Sequence, residues 1–275
     1  MEVLTKENYA TCHDYLSYSR FSKFLRCEAS AAVNFREPAS VAQLVGSYVD
    51  AYFSEEMEDF KKAHPEIFNS KTGQLKVDFL KAEEIIQRIK TDEKFMKLLS
   101  GEKQSIMVGE IEGVPFKIKM DSYIPGKAIV DLKVMKDFNK VWSDAYRTYV
   151  NFMVAYDYDI EMAIFQEIVY QNTGLKLPCY IAAITKETPS DIGAFLIPQN
   201  KLDDALEIVK NTLNERIKPI LNGEIAPHRC EKCYYCRATK KTRIFDWELV
   251  GLDGDKLREE GIQCDDPKIQ KKEEK

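Results

Sequence analysis

The chain reads Phe116-Lys117-Ile118-Lys119-Met120-Asp121 and, a few residues later, Ile129-Val130-Asp131-Leu132-Lys133-Val134, and these two segments decide its fold. The first alternates apolar and polar residues and the second is largely apolar, as expected for β-strands. Pro125-Gly126-Lys127 lies between them and marks a turn. The sequence therefore predicts two strands that a hairpin brings side by side.

Two carboxylates and one amine belong to this hairpin. Side chains two residues apart on a strand share a face, so we expect Asp131 and Lys133 to point the same way while Leu132 turns into the core. The hairpin brings Asp121 alongside them. Carboxylates at a sheet edge can hold a divalent cation beside a phosphate, which is the chemistry of metal-dependent phosphodiester hydrolysis. Because Asp-x-Lys on a strand is by itself more often a solvated face, this interpretation depends on the rest of the chain.

The remaining periodicity predicts an α/β protein. Its order of elements favours a central mixed sheet flanked by helices. The predicted helices cover 17–33, a segment after Pro38 with Ser40 as its N-cap, 76–100, 142–170 and 202–221. The predicted strands cover 105–111, 114–123, 128–134, 179–185 and 193–197, and residues 54–75 are predicted to be irregular.

Composition limits the class of protein. The chain has 275 residues, of which 44% are hydrophobic and 31% charged, and this favours one domain over residues 1–250 with a charged, flexible tail at 251–275. A net charge of -5 argues against nonspecific nucleic-acid binding as the main role but leaves room for a local basic groove. We see neither a membrane-spanning run nor a signal peptide, so we expect a cytoplasmic protein with no membrane partner.

A cysteine cluster is the second notable pattern. Cys230, Cys233 and Cys236 form a C-x2-C-x2-C run whose three thiols can converge on one zinc ion or iron–sulfur cluster. A fourth ligand is needed, and His228 and Cys27 are the candidates, with Cys12 a weaker one. The alternative is that these are incidental buried cysteines.

Five segments together resemble a known family. The chain resembles the PD-(D/E)XK nuclease superfamily and, more narrowly, phage and prophage exonucleases of the exodeoxyribonuclease VIII type with a RecB-type nuclease domain. The similarity spans about residues 15–245. The segments are Phe24-Leu25-Arg26-Cys27-Glu28-Ala29, Leu44-Val45-Gly46-Ser47-Tyr48-Val49-Asp50, Lys119-Met120-Asp121, Asp131-Leu132-Lys133 and Tyr158-Asp159-Ile160-Glu161-Met162-Ala163-Ile164-Phe165-Gln166.

The resemblance implies a restriction-endonuclease-like core and a Mg²⁺- or Mn²⁺-dependent DNA exonuclease. It implies Asp121, Asp131 and Lys133 as the catalytic residues. Asp121 and Asp131 would bind the metal together with the Leu132 backbone carbonyl and Asp50. Aspartate at position 50 departs from the family, where histidine is common, but its oxygen still suits these ions.

Three residues are candidate substrate contacts. Arg147 is one because it places a charge early on the helix predicted at 142–170. Glu161 and Gln166 follow from the same resemblance. Glu161 stands where the family has glutamine and Phe165 where it has tyrosine. A literal Gln-x-x-x-Tyr begins at Gln166, but that register lies on a different helical face, so we prefer Glu161.

Cofactors and partners follow as expectations. Cluster-bearing relatives imply a 4Fe-4S cluster on Cys27, Cys230, Cys233 and Cys236, with zinc as the alternative. The expected partners are DNA, a single-strand annealing protein of phage-type recombination and further copies of the chain, in the cytosol of a bacterial host. Two other functions remain open: a non-catalytic DNA-binding module of the same fold, and an endonuclease or RNA-directed nuclease.

Overall fold

The computed structural model describes residues 4–6, 8–143 and 146–241. The chain divides into two compact units. The first comprises Met1–Asp14, Ala39–Glu110 and Pro115–Val209, and the second comprises Tyr15–Pro38, Ile111–Val114 and Lys210–Lys275. The tail predicted at 251–275 lies outside the described residues, so the predicted domain boundary at residue 250 stays a prediction.

Helices and strands alternate along the chain. The helices are α1 Tyr18–Arg26, α2 Glu28–Ala32, α3 Val41–Phe53, α4 Met57–Ala63, α5 Val77–Lys90, α6 Glu93–Leu98, α7 Phe152–Ala155, α8 Tyr158–Thr173, α9 Gln199–Thr212, α10 Lys218–Leu221 and α11 Tyr234–Ala238, with a 3-10 turn at Pro65–Ile67 and a π-helical turn at Leu213–Ile217. The strands are β1 Leu16–Ser17, β2 Ser105–Ile111, β3 Val114–Met120, β4 Ser122–Ile124, β5 Ala128–Met135, β6 Val141–Ser143, β7 Thr148–Val150, β8 Cys179–Thr185 and β9 Ile192–Leu196.

The first unit contains a mixed sheet in the order β4-β5-β8-β9. Strand β4 pairs antiparallel with β5 through Ser122 and Val130, so the predicted hairpin is present. Strands β5 and β8 are parallel, and β8 and β9 are antiparallel. The expected mixed sheet flanked by helices is therefore confirmed.

Successive side chains of β5 point to opposite faces of the sheet, one face toward the apolar core and the other toward the predicted catalytic residues. Val130 and Leu132 face a helical layer formed by α3 and α5, where they join one buried cluster with Val49, Ile86 and other apolar residues. Each such side chain contributes about 1.5–3 kcal/mol through burial. The intervening Asp131 and Lys133 therefore face away from this layer, toward α8.

Some predicted helices are not continuous. The helix predicted at 17–33 is interrupted at Cys27, which ends α1 and precedes α2 in an extended conformation. The region 54–75, predicted to be irregular, contains α4 and a 3-10 turn. The helix predicted at 202–221 begins at Gln199 and changes to π-helical geometry at Leu213–Ile217.

The helix predicted at 142–170 is wrong over its first part. Strand β6, Val141–Ser143, pairs with β7, Thr148–Val150, and helical structure begins only at Phe152, where Asn151 caps α7. β-Branched and aromatic residues such as Trp142 and Tyr149 favour strands, and here they pack edge to face with ring centroids 5.4 Å apart. Arg147 consequently lies in the connection between two strands, with a φ of 50°, and not on a helix.

Candidate active site

Lys133 lies between two buried carboxylates. Its Nζ is 2.7 Å from Asp131 Oδ2 and 2.8 Å from Glu161 Oε2, while Asp131 and Glu161 are 4% and 8% exposed. Glu161 lies in the first turn of α8, a helix that starts after Asp157 in the left-handed conformation. The ring of Tyr158 lies 4.9 Å from Lys133 Nζ in a cation–π contact. Strand β5 and helix α8 thus fix one ammonium group from three directions.

Asp121 is joined to the same strand by the β4–β5 hairpin. It directly precedes β4, and its Oδ2 accepts a hydrogen bond of 2.8 Å from the Leu132 N–H. The sequence predicted this proximity. The role predicted for the Leu132 carbonyl as a metal ligand stays a prediction.

Burial and mutual repulsion govern the electrostatics of the carboxylates. Burial raises the pKa of Asp50, on the last turns of α3, to about 6, and Asp131 adds to the shift while Lys119 opposes it. Burial, then the charges of Asp131 and Asp50, raise the pKa of Asp121 well above its usual range. Like charges raise each other's pKa only when they are close. The three aspartates therefore form one acidic site.

Glu161 and Lys133 carry opposite charges, and each influences the pKa of the other. Burial raises the pKa of Glu161 to about 7, although Lys133 opposes the shift. Burial by itself would lower the pKa of Lys133, but Asp131, Glu161 and Asp121 together raise it well above its usual range. Lys133 therefore remains an ammonium.

The donor set fits a hard divalent cation. Asp131 Oδ2 and Glu161 Oε2 are buried and, among the described residues, accept no hydrogen bond of regular geometry despite their proximity to Lys133. Carboxylate oxygens are the ligands that Mg²⁺ and Mn²⁺ prefer. The carboxylates are spaced more widely than a closed coordination shell, because within the described chain only the cysteine group has three or more ligand atoms within 4.8 Å of one another. A cation here would draw the carboxylates together.

The other predicted contacts lie elsewhere. Gln166 is buried, and its amide donates to the Leu177 carbonyl at 2.8 Å and exchanges hydrogen bonds with Gln199. It therefore holds the chain after α8 in place. Arg147 is exposed on the β6–β7 connection.

Sequence reasoning missed several residues of the site. The Lys119 Nζ lies 5.7 Å from the ring of Tyr9, and the charge of Glu161, after burial, contributes to a raised pKa of Tyr9. Lys119 could have been found, because Lys119 and Asp121 are two residues apart along the strand direction. Tyr9 could not, because its N-terminal segment carries no periodic signal.

The second unit contains the cysteine site. The Sγ atoms of Cys27, Cys230, Cys233 and Cys236 all lie within 4.8 Å of one another, and Cys27 Sγ is 3.5 Å from Cys236 Sγ. The hydrogen bond with Cys236 lowers the pKa of Cys27 to about 5, which favours the thiolate that metals bind. Of the three candidates for the fourth ligand, His228, Cys27 and Cys12, the structure brings Cys27 into the group. His228 lies beside it and contributes its backbone, whose carbonyl accepts from the Ala29 N–H at 3.0 Å.

Local contacts hold the cysteine site together. Glu28, next to Cys27, makes a bidentate pair with Arg216 at 2.7 and 2.6 Å and accepts from the His228 N–H. The Cys233 N–H donates to Cys230 Sγ at 3.3 Å, and the Cys236 N–H donates to Cys233 Sγ at 3.4 Å. Backbone amides directed at sulfur are typical of sites that bind a metal through thiolates. The four thiols are therefore arranged so that they could hold one metal ion.

Comparisons with known proteins identify relatives of this chain. The family described as a "PDDEXK-like domain of unknown function (DUF3799)" matches residues 17–239. A crystal structure of a "Putative exonuclease" from Eubacterium rectale is 43% identical, with a TM-score of 0.86, and the match covers 92% of this chain and 100% of that one. The crystal structure of SSO0001 is 10% identical over 82% of this chain and 97% of that one, with a TM-score of 0.31, which is too weak to support an argument.

A search of curated proteins finds no match. Among the described residues, no helix combines the length and apolar character needed to cross a membrane. The family match spans most of the chain and the similar structure spans nearly all of it, so the resemblance to the PD-(D/E)XK nuclease superfamily is confirmed. The narrower resemblance to phage and prophage exonucleases of the exodeoxyribonuclease VIII type stays a prediction. The chain belongs to the PDDEXK-like family DUF3799, within the PD-(D/E)XK nuclease superfamily.

Proposed function

We propose that this protein is a divalent-metal-dependent deoxyribonuclease that acts as an exonuclease. The observation that carries the proposal is the convergence of Asp121, Asp131 and Glu161 with one ammonium, Lys133, in a partly buried site. Family membership supports nuclease activity, and the exonuclease name of the similar crystal structure supports attack from an end.

Each residue has a distinct part in this proposal. Asp121 and Asp131 hold Mg²⁺ or Mn²⁺, together with the Leu132 carbonyl and Asp50. When bound, the metal polarises the phosphate and lowers the pKa of coordinated water. Lys133 donates to the attacking water or to the charged phosphate, since an ammonium between two carboxylates is already aimed at the site. Glu161 keeps Lys133 in this position, which makes it a positioning residue.

The β6–β7 hairpin supplies a proposed contact with the DNA strand. It lies in sequence between the strand that carries Lys133 and the helix that carries Glu161. Trp142, Tyr146 and Tyr149 are 51%, 62% and 63% exposed, and Arg147 is exposed beside them. Exposed aromatic rings stack on bases, and arginine adds attraction for phosphate. Gln166 is engaged with Leu177 and Gln199, so we omit it from the proposed contacts.

The cellular setting is a further part of the proposal. By its resemblance to phage and prophage exonucleases, the protein acts in phage-type recombination in a bacterial cytosol, beside a single-strand annealing protein and with other copies of itself. The four cysteines bind a 4Fe-4S cluster, with zinc as the alternative.

End-labelled linear DNA and closed circular DNA, each incubated with Mg²⁺, Mn²⁺ or EDTA, test this function. We expect linear DNA alone to be degraded, and only with a metal. Asp131→Asn, which keeps the shape of the side chain and removes its charge, should reduce the rate at least tenfold because a metal ligand is lost. Cleavage of circular DNA would instead indicate an endonuclease. Faster cleavage of an RNA of matched sequence would indicate an RNA-directed nuclease. Binding of DNA without any hydrolysis would indicate a non-catalytic DNA-binding module.

A further inference from the structure

The loop that precedes β2 is fastened to the strand that follows Asp121. We call residues 101–104 the Lys103 loop. The Glu102 N–H donates to the Tyr123 carbonyl at 2.7 Å, and the Tyr123 N–H donates back to Glu102 at 3.0 Å. The Gly101 N–H donates to Ser122 Oγ at 3.0 Å. These bonds hold the loop beside the residues that come directly after Asp121.

The other end of the Lys103 loop is tied to the helix that carries Asp50. Gln104 is 2% exposed, and its Nε2 donates to Ser54 Oγ at 3.3 Å. The Ser54 hydroxyl in turn donates to the Asp50 carbonyl. Lys103 is therefore placed between two anchor points, one next to Asp121 and one next to Asp50.

This placement has an energetic cost. A Cβ on Gly101 would lie 2.4 Å from the Tyr123 carbonyl oxygen, so the close approach requires glycine. Gln104 has a φ of 51°, which side chains rarely adopt, and its buried Oε1 has no hydrogen-bond partner within the described parts of the chain. Residues in such strained backbone conformations cluster at active sites and ligand-binding loops.

The Lys103 ammonium has no direct partner among the described residues. The side chain is half-buried, and in the described residues its Nζ forms neither an ion pair nor a hydrogen bond. Burial lowers the pKa of Lys103, and the charges of Glu55, Asp121 and Asp50 oppose this shift. Lys133, by contrast, contacts Asp131 and Glu161 directly. A half-buried cation without a direct partner, beside a site for phosphate chemistry, is suited to bind an anion.

We propose that Lys103 is a substrate-binding residue that contacts a nonbridging phosphate oxygen of the nucleic-acid strand. This inference rests on the proposed nuclease function. It places Lys103 on the side of Asp50 and Asp121, where the charge of Lys119 also acts on Asp50, and so apart from Lys133 beside Asp131 and Glu161. The bound group is either an internal phosphodiester or the monoester at a strand end, which share this chemistry.

The salt dependence of DNA binding tests the proposal without hydrolysis. Fluorescent oligonucleotides are titrated in EDTA with wild type, Lys103→Gln, Lys103→Arg and Lys71→Gln, the last being the same change at an exposed lysine in a turn. Lys103→Gln should weaken binding roughly tenfold. It should also reduce the slope of log affinity against log salt by about 0.9 on duplex DNA and about 0.7 on single strands. Lys103→Arg should keep the wild-type slope, and Lys71→Gln should match wild type.

Each outcome decides one point. Equal losses on 5′-phosphate and 5′-hydroxyl oligonucleotides assign an internal phosphodiester, whereas a loss confined to 5′-phosphate assigns the strand end. A Lys103→Gln protein with the wild-type slope overturns the inference, even if its melting temperature falls, because that result indicates a structural role. If Lys103→Gln does not fold, Lys103→Met, which keeps the apolar stem, replaces it. Wild-type protein that binds DNA but never hydrolyses it with Mg²⁺ or Mn²⁺ refutes the proposed function, while the slope still decides the role of Lys103.

Discussion

Lys133 is the residue on which the charges of the site converge. Its ammonium is held by Asp131, Glu161 and the ring of Tyr158 before any substrate arrives. Charges that are already positioned stabilise a transition state without the cost of reorganisation. The same arrangement makes Lys133 important for stability, since its removal leaves two buried carboxylates without their counter-charge.

Lys133→Ala should therefore separate catalysis from binding. We expect kcat on saturating DNA to fall about 100-fold or more, as when one transition-state donor is lost. Affinity for DNA should change little. Single-turnover kinetics and anisotropy titrations measure the two quantities separately.

Glu161→Gln is the matched control for this prediction. It removes the charge of Glu161 but leaves Lys133 paired with Asp131, so the fall in kcat should be smaller. Lys133→Ala could instead weaken DNA binding while turnover on saturating DNA is preserved. That result would show that Lys133 binds the substrate and does not act in the chemical step.

Among the secondary-structure elements, the β6–β7 hairpin is the most open to test. Trp142 and Tyr149 contact each other and still expose more than half of their surface. Stacking of one base on an aromatic ring is worth about 1–3 kcal/mol. Such a platform suits a strand that is read without regard to sequence.

Trp142→Ala should weaken binding of single-stranded oligonucleotides about fivefold or more, in line with the lower end of base stacking. The control is Tyr170→Ala, which removes a ring that is 46% exposed on α8. Fluorescence anisotropy with mixed-sequence oligonucleotides measures both. Equal affinities for the two variants would show that the hairpin does not bind the strand.

At the scale of the whole molecule, the cysteine group connects segments that are about 200 residues apart. Cys27 separates α1 from α2, whereas Cys230 and Cys233 directly precede α11 and Cys236 lies within it. Phe35 stacks on Tyr234 with ring centroids 5.7 Å apart, and Tyr235 is buried with the thiols. A metal that joins distant segments adds its binding free energy directly to folding.

Cys27→Ser should lower metal content and melting temperature together. Cys12→Ser is the matched control, because it makes the same change at a buried cysteine outside the group. Iron, sulfide and zinc analysis after anaerobic purification distinguishes a cluster of about four irons from one zinc. If Cys27→Ser keeps its metal while His228→Ala loses it, the assignment of the fourth ligand is wrong.

Strand alternation and local capping were readable from the sequence, because both depend on near neighbours. The period of two placed Asp131 and Lys133 on one face and Leu132 on the other. The cap at Ser40 was readable too, and the structure shows a full capping box with Gln43. The strands Val141–Ser143 and Thr148–Val150 were missed because strand and helix signals overlap in a short aromatic segment.

Only the tertiary structure decided which distant groups meet. The family resemblance favoured Glu161 over Gln166, but residue order along α8 alone does not reveal which of them reaches Lys133, because that depends on how the helix packs on the sheet. The resemblance also implied Cys27, but its approach to the other three thiols and the position of the Lys103 loop have the same tertiary origin. Sequence periodicity fixes the face on which a residue lies, but the partner on that face is set by burial and hydrogen bonding between segments far apart in the chain.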